Sequence, residues 1–299
     1  MPELPEVENL RQGLGRTIVG QKIRRVEIRK PKLVSSKGTQ RPASLQKKRE
    51  FIRGTTGEKF ISVERRAKNL IFKLSHGKVI LVHLKMSVQF VYMSNSNNGR
   101  VIGGHPIELS EKELPNKHTH VIFELEKGTL YYNDTRMFGY LLFYPNTEAF
   151  LAENHFGLYG LEPLSKEFNL KYLVNALKNK KGKMKAVLMN QKIVTGLGNI
   201  YADETLFESK IRPERNASSI SRLEAKKLYQ AIIRIMQRAT KVGGSSVAAY
   251  RLLDTTRGNY AREHKVYGKA GQMCVNCHKP LEKIIIQSRT TIFCPRCQK

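Results

Sequence analysis

The sequence predicts a multidomain α+β protein: a helix at the start, an antiparallel β region, a helical region, and a short cysteine module at the end. Three observations carry this prediction. Apolar residues follow a period of two through much of residues 20–145 and a helical period through residues 166–241. All four cysteines lie after residue 270.

The first helix comes from the opening MPELPEVENL. Leu4, Val7, Leu10, Leu14 and Ile18 recur at helical spacing. Pro5 fits a first turn, where a missing N–H costs nothing. Glu6 and Glu8 suit the positive end of a helix. Chain starts usually fray, but this helix begins almost at the terminus and ties it down.

The β region follows. Ile23, Val26 and Ile28 suggest a strand with a break in its alternation. NLIFKL and VILVHLKM flank Ser75-His76-Gly77-Lys78 as the arms of a hairpin would. VIFELEKGTLYY reads as another hairpin and FGYLLFY as a further strand. Residues 20–145 thus read as an antiparallel domain, either a two-sheet sandwich or a flattened barrel. Within it, MSNSNNGRVIGGHP (residues 93–106) is polar and glycine-rich and is expected to be a surface loop or insertion.

HFGLYGLEPLS (residues 155–165) marks a change of texture and reads as a linker. Beyond it, Leu170, Leu173 and Leu177 share a helical face. Ser221-x-x-Glu224 is a capping box ahead of Leu228, Ile232, Ile235 and Met236. The pattern is lost from Gly243 to Gly268, and no internal repeat occurs.

Composition narrows the function. At 299 residues the chain can hold two domains and a small third module. Hydrophobic residues make up 40% of it, enough for a packed core. Lys and Arg total 53 against 25 Asp and Glu, a formal charge of +28. Such an excess repels itself and points to an anionic partner, nucleic acid before an acidic membrane surface. No stretch approaches the ~20 apolar residues of a membrane helix, and the start lacks a signal-peptide pattern. A cytoplasmic protein is expected, nucleoid-associated if DNA is the partner.

Cys274-x2-Cys277 and Cys294-x2-Cys297 have the spacing of one tetrahedral zinc site. Four thiolates leave no position open for water, so such a zinc would be structural. Two disulfides or an iron–sulfur centre are the alternatives. LEKIIIQ and TTIFC, between the pairs, alternate like a β-hairpin with Ser288, Arg289 and Thr290 near its tip. An arginine there could probe a DNA groove or a phosphate, or simply be exposed.

TGLGNIYADETLF is a glycine turn feeding a helix, an arrangement that aims backbone N–H groups at an anion. Asn199 stands at the expected N-cap. Upstream lie Lys178, Lys180, Lys181, Lys183 and Lys185. A lysine run alone is usually a solvated loop; turn and run together favour phosphate binding. In VERRAKNLIFKL, Lys68 enters an apolar strand, where a lysine ordinarily snorkels to solvent. Its spacing alone gives it no catalytic role.

These pieces together resemble the formamidopyrimidine-DNA glycosylase family over nearly the whole chain. The resemblance rests on MPELPEVE, RRAK, HLKMS, DTRMFG, LEPLS, GLGNIYADE, VYGKAG and the closing FCPRCQK, in that order. It implies an N-terminal catalytic β-sandwich domain (1–150), a linker (151–165), a helix-two-turn-helix DNA-binding domain with a lid loop (166–262), and a zinc finger (263–299). It implies one structural zinc on Cys274, Cys277, Cys294 and Cys297, and a monomer acting on double-stranded DNA that holds an oxidised purine or abasic site.

The resemblance also assigns roles. Loss of Met1 exposes Pro2 as a secondary amine that attacks the sugar C1′, and Glu3 handles protons beside it. Lys68 takes part in base excision and β-elimination. Asn199 holds phosphate, and Arg289 holds phosphate and assists δ-elimination. Met86, Arg136 and Phe138 match residues that fill the gap left by an everted nucleotide. His118 and Lys180 match DNA contacts, and residues 243–267 match the lid over the flipped base. The sequence departs from the family pattern at Lys85 and Val88, where glycines are usual, at Thr135 for proline, and at Asn190 for aspartate. Leu4 favours the purine-directed branch over the endonuclease VIII branch. A DNA- or RNA-binding protein without catalysis is the competing class, but binding alone does not need an N-terminal proline. A ribosome-associated zinc protein fits only the charge.

Overall fold

The computed structural model describes residues 1–96, 100–104, 114–245 and 259–299, with only the backbone of 100–102. These fall into two compact units. The first holds Met1–Pro2, Glu6–Phe156 and Ser245; the second holds Glu3–Pro5, Gly157–Gly244 and Asn259–Lys299.

Helix α1 (Leu4–Ile18) places Val7, Leu10, Leu14 and Ile18 in the first unit's core, at the predicted spacing. Strand β1 (Ile23–Ile28) shifts register between Ile23 and Arg25. The break in its alternation is therefore a bulge, which keeps Ile23 and Val26 both inward. Helix α2 (Leu45–Thr55) is not among the predicted elements. Its sequence is largely polar, and only Phe51 and Thr55 are buried, so it carries little apolar periodicity. Ser44 caps it by accepting from the Lys47 N–H at 3.1 Å.

Eight further strands follow: β2 (Phe60–Arg66), β3 (Asn69–Leu74), β4 (Val79–His83), β5 (Val88–Ser94), β6 (Arg100–Gly104), β7 (Thr119–Leu125), β8 (Gly128–Asp134) and β9 (Tyr140–Tyr144). They make two antiparallel sheets, β1-β7-β8-β5-β6 and β2-β3-β4-β9. Of the two expected alternatives, the sandwich is correct. Aromatic rings tie the sheets together: Phe72 of β3 to Phe90 of β5 at 6.0 Å, and Phe60 of β2 to Phe123 of β7 at 6.2 Å. The smaller sheet is buried on its outer face too, where Ile71, Leu81, Tyr140 and Leu142 pack with Phe150 of α3 (Thr147–Ala152) and Phe156. That second face is why its strands read as apolar runs.

The expected loop at 93–106 is corrected in part. Ser94 ends β5, and Arg100–Gly104 forms β6, paired to β5 from Met93↔Arg100 to Gln89↔Gly104. The surrounding glycine and asparagine hid this edge strand, since they weaken the strand signal in the sequence. Residues 97–99 and 105–106 lie outside the described residues.

The second unit is mainly helical: α4 (Leu170–Lys178), α5 (Met184–Met189), α6 (Asn199–Glu208) and α7 (Arg222–Lys241). Asn169 caps α4, and the predicted Ser221–Glu224 box caps α7 with both reciprocal bonds. Leu173, Leu177, Leu188, Tyr201, Leu206, Leu228, Ile232 and Met236 form its core, joined by Leu4. Strands β10 (Glu282–Ile286) and β11 (Arg289–Phe293) close the chain as a hairpin. Gln287 and Ser288 turn it at φ 46° and 58°, both left-handed as a two-residue hairpin turn requires. Ahead of the hairpin, the buried Glu204 carboxylate accepts from the backbone N–H groups of Lys265, Val266 and Tyr267 at 2.9, 2.9 and 2.8 Å. This fixes the segment entering the cysteine module to α6. No helix among the described residues is long and apolar enough to cross a membrane.

Candidate functional site

In the second unit the site is built around Glu3. Its carboxylate accepts from the N–H of Gly198 at 2.6 Å and of Ile200 at 2.9 Å. Leu4 N–H donates to the Gly196 carbonyl at 3.0 Å. The glycine turn thus receives an anion, but the anion is the chain's own carboxylate. The turn must be glycine: a Cβ on Gly198 would lie 2.5 Å from Glu3 Cδ, and Gly196 sits at φ +91° with Leu4 2.6 Å from its missing Cβ.

The expectation for Asn199 is corrected. Gly198 occupies the N-cap and Asn199 is the first helical residue, because Glu3 supplies the capping oxygens. Asn199 Oδ1 is buried without a partner among the described residues, while its side chain bonds the Tyr267 hydroxyl. Sequence reasoning does not single out Tyr267; only its place in VYGKAG signals it.

A groove of about 760 Å³ in this unit is lined by Lys180, Lys181, Lys185, Asn190 and Arg289 among others. Lys180 is exposed. Lys185 is instead fully buried, its Nζ 2.7 Å from Asp203 and donating to the Thr290 carbonyl at 2.8 Å. Asp203 also accepts from Ile292 N–H at 3.2 Å. Burial raises the Asp203 carboxyl and lowers the Lys185 ammonium, and their pairing opposes both shifts. The pair ties the hairpin that carries Arg289 to α5 and α6. The lysine run is thus divided between solvent and core.

The first unit holds Pro2 and Lys68. Pro2 is buried and Met1 is exposed. Lys68 occupies a two-residue turn between β2 and β3, with Ala67 at φ 55°. It is only 6% exposed, so the expectation of a snorkelling lysine is wrong. Arg65 braces the turn, donating to Glu8 at 2.9 Å and to the Ala67 carbonyl at 3.0 Å.

Met86, Arg136 and Phe138 come together. Arg136 lies 4.6 Å over the Phe138 ring and donates to Met86 Sδ at 3.0 Å. Their loop is organised by Asp134, which accepts from Ser87 Oγ, from Arg136 N–H at 3.2 Å and from Gly139 N–H at 2.8 Å. His118 is nearby at the backbone level, its carbonyl accepting from Asp134 N–H at 3.0 Å. Lys85, beside Met86, takes φ 50°, which explains why glycine suits that position. Its N–H donates to His83 Nδ1 at 3.0 Å. Burial, then Lys85 and Lys68, pushes His83 down to about 3, so the ring is neutral and can accept. Val88 is buried at the start of β5. Nothing in the structure explains the exposed Thr135.

The four cysteines form no disulfide. Their Sγ atoms all lie within 4.8 Å of one another, with Cys277 to Cys294 at 3.5 Å and Cys274 to Cys297 at 3.9 Å. A tetrahedron with Zn–S of ~2.3 Å has S–S edges of roughly 3.8 Å. Backbone N–H groups of Asn276 and Cys297 point at the Cys274 and Cys294 sulfurs. The donor set fits a closed metal site.

Residues 1–141 match the model of the formamidopyrimidine-DNA glycosylase N-terminal domain, and residues 159–251 that family's H2TH domain. Formamidopyrimidine-DNA glycosylases of Desulfitobacterium hafniense and Listeria monocytogenes are 36% and 38% identical, covering 100% of both chains. A Lactococcus lactis FPG mutant, solved with Fapy-dG-containing DNA, superposes with TM-score 0.85 at 33% identity over 100% of each chain. Lactococcus lactis Fpg with abasic-site DNA gives 0.84 at 33% over 99%. These matches over the whole chain define a DNA-repair glycosylase. The chain belongs to the formamidopyrimidine-DNA glycosylase family.

Proposed function

We propose that this chain excises oxidised purines, 8-oxoguanine and formamidopyrimidines, from duplex DNA and then cleaves the abasic site by β,δ-elimination. The observation that carries the proposal is the Glu3 carboxylate, held on two N–H groups of the α6 start and covalently next to Pro2. The same two bonds that cap α6 hold this carboxylate still beside the proline nitrogen. The complexes of the Lactococcus relatives with Fapy-dG and abasic-site DNA support the substrate class.

Removal of Met1 leaves Pro2 as a free secondary amine. With a pKa near ~8 an appreciable fraction is neutral at pH 7. The nitrogen attacks C1′, the glycosidic bond breaks, and the base departs with its electron pair. Glu3 moves a proton to or from the sugar ring oxygen as the ring opens. The resulting iminium has no N–H proton to lose, so it withdraws electrons from C2′. Loss of the C2′ proton expels the 3′ phosphate, and a second elimination expels the 5′ phosphate. Lys68 assists excision and the first elimination, and Arg289 the second. Lys180, Asn199 and His118 hold backbone phosphates, while Met86, Arg136 and Phe138 occupy the space vacated by the everted nucleotide. Cys274, Cys277, Cys294 and Cys297 would hold a zinc that fixes the hairpin's shape and takes no part in the chemistry.

Borohydride trapping on duplex DNA with 8-oxoguanine opposite cytosine tests the reading. A covalent protein–DNA adduct is expected, and Glu3→Gln should keep DNA binding while losing most base excision. No adduct from protein beginning at Pro2 would replace the enzyme with a binding module.

A further inference from the structure

Arg41 lies between Val34 and α2, far in sequence from every residue given a role above, yet only 8% of it is exposed. A guanidinium has five N–H donors and no acceptor. All five meet backbone carbonyls. Nε donates to Lys32 at 2.6 Å. Nη1 donates to Gly38 and, at 3.4 Å, to Phe138. Nη2 donates to Gly139 and, at 3.4 Å, to Met137. Three of the five carbonyls belong to the loop that presents Arg136 and Phe138.

That loop has two sides. Asp134 collects its N–H groups, those of Arg136 and Gly139. Arg41 collects its carbonyls. Between them Met137 is held at φ 53°, left-handed and unfavourable for a side chain of that size. Such a residue keeps its conformation only where the surroundings over-determine it, and Arg41 supplies half of that constraint.

We propose that Arg41 is a positioning residue for reading the base opposite the lesion: it fixes the backbone of Met137–Gly139 and so aims Arg136 and Phe138. The inference rests on the gap-filling role proposed for Arg136. A planar five-donor fork is required, so lysine, with three donors on one atom, replaces it poorly.

The chain has no tryptophan, so Phe138→Trp creates a single fluorescent reporter on the loop. Its time-resolved anisotropy should show faster, wider motion when Arg41→Gln is added, with Arg41→Lys intermediate. On lesion duplexes, Arg41→Gln in the otherwise native chain should narrow the cytosine-over-adenine preference roughly fivefold. Cleavage of a pre-formed abasic site should stay within about twofold. Unchanged anisotropy would overturn the inference. So would an unchanged base preference in a chain whose Arg136→Ala variant has lost it. If Arg136→Ala itself leaves the preference intact, the gap-filling role fails instead, and anisotropy still decides whether Arg41 holds the loop. Should Arg41→Gln not fold, Arg41→Lys carries both measurements.

Discussion

The backbone at Lys85 shows how one residue can carry a cost that its side chain must offset. Its φ of 50° disfavours any Cβ, by about 1–2 kcal/mol in a left-handed conformation. The amine reaches 5.8 Å from the Tyr140 ring centroid, a cation–π contact. Lys85→Ala loses that contact and keeps the clash; Lys85→Gly loses both. Chemical denaturation should therefore find the glycine variant more stable than the alanine variant by about 1 kcal/mol. Equal stabilities would mean the turn relaxes freely. Lys68 teaches a related lesson. Its sequence context allows a solvent-seeking lysine, and nothing local reveals that the turn after β2 is covered. Burial by distant chain is what a single sequence hides best.

Elements with strong periodicity are legible in the sequence, and those fixed by polar contacts are not. The stripe of α1, the β3–β4 and β7–β8 hairpins and the α7 capping box follow from spacing. Helix α2 does not, since it buries only Phe51 and Thr55, and strand β6 does not, since RVIGG is short and ends in glycines. The cap of α6 by Glu3 is invisible because its partners are 195 and 197 residues apart. The β3–β4 turn offers a test of such polar fixing. Glu58, ahead of β2, receives Lys78 Nζ at 2.7 Å, His76 Nδ1 at 2.9 Å and Ser75 Oγ. Burial pushes its carboxyl up, but these donors win and bring it from 4.5 to about 2. A depressed folded value stabilises above the unfolded one, so the contribution is complete above pH 4.5 and vanishes as pH falls toward 2. Acid unfolding should show the native chain losing its advantage over Glu58→Gln across that window. A pH-independent difference would assign the effect to packing. At the cysteine module, mass spectrometry should find one zinc on the native chain and none on Cys294→Ser, whose DNA binding should weaken, because Cys294 also sits in the small core with Phe207, Leu281 and Ile292.

Across the whole molecule, charge sets the terms of binding. A formal +28 means that DNA association releases condensed counterions. If roughly 6–10 phosphates are contacted, affinity should fall about 10³-fold or more between roughly 50 and 200 mM salt. Fluorescence-anisotropy titrations with a lesion duplex measure this directly, and a flat response would remove the phosphate-clamp reading. Lys180→Ala should lower the slope by about one counterion without altering the preference for the opposite base. Arg136→Ala should do the reverse.

The contact between Glu3 and Gly198 also limits how this sequence can drift. Any Cβ at 198 would stand 2.5 Å from the Glu3 carboxyl carbon. A shortened side chain at 3 would leave two helix N–H groups without their acceptor. Apart from glutamine at position 3, which keeps a side-chain oxygen at full length, neither position has an easy single step away from its present state. In a saturation library scored only for folded, soluble protein, positions 3 and 198 should therefore, Glu3→Gln apart, be depleted of single variants as severely as the hydrophobic core. A residue kept for chemistry would then look, to a stability screen, like a residue kept for architecture.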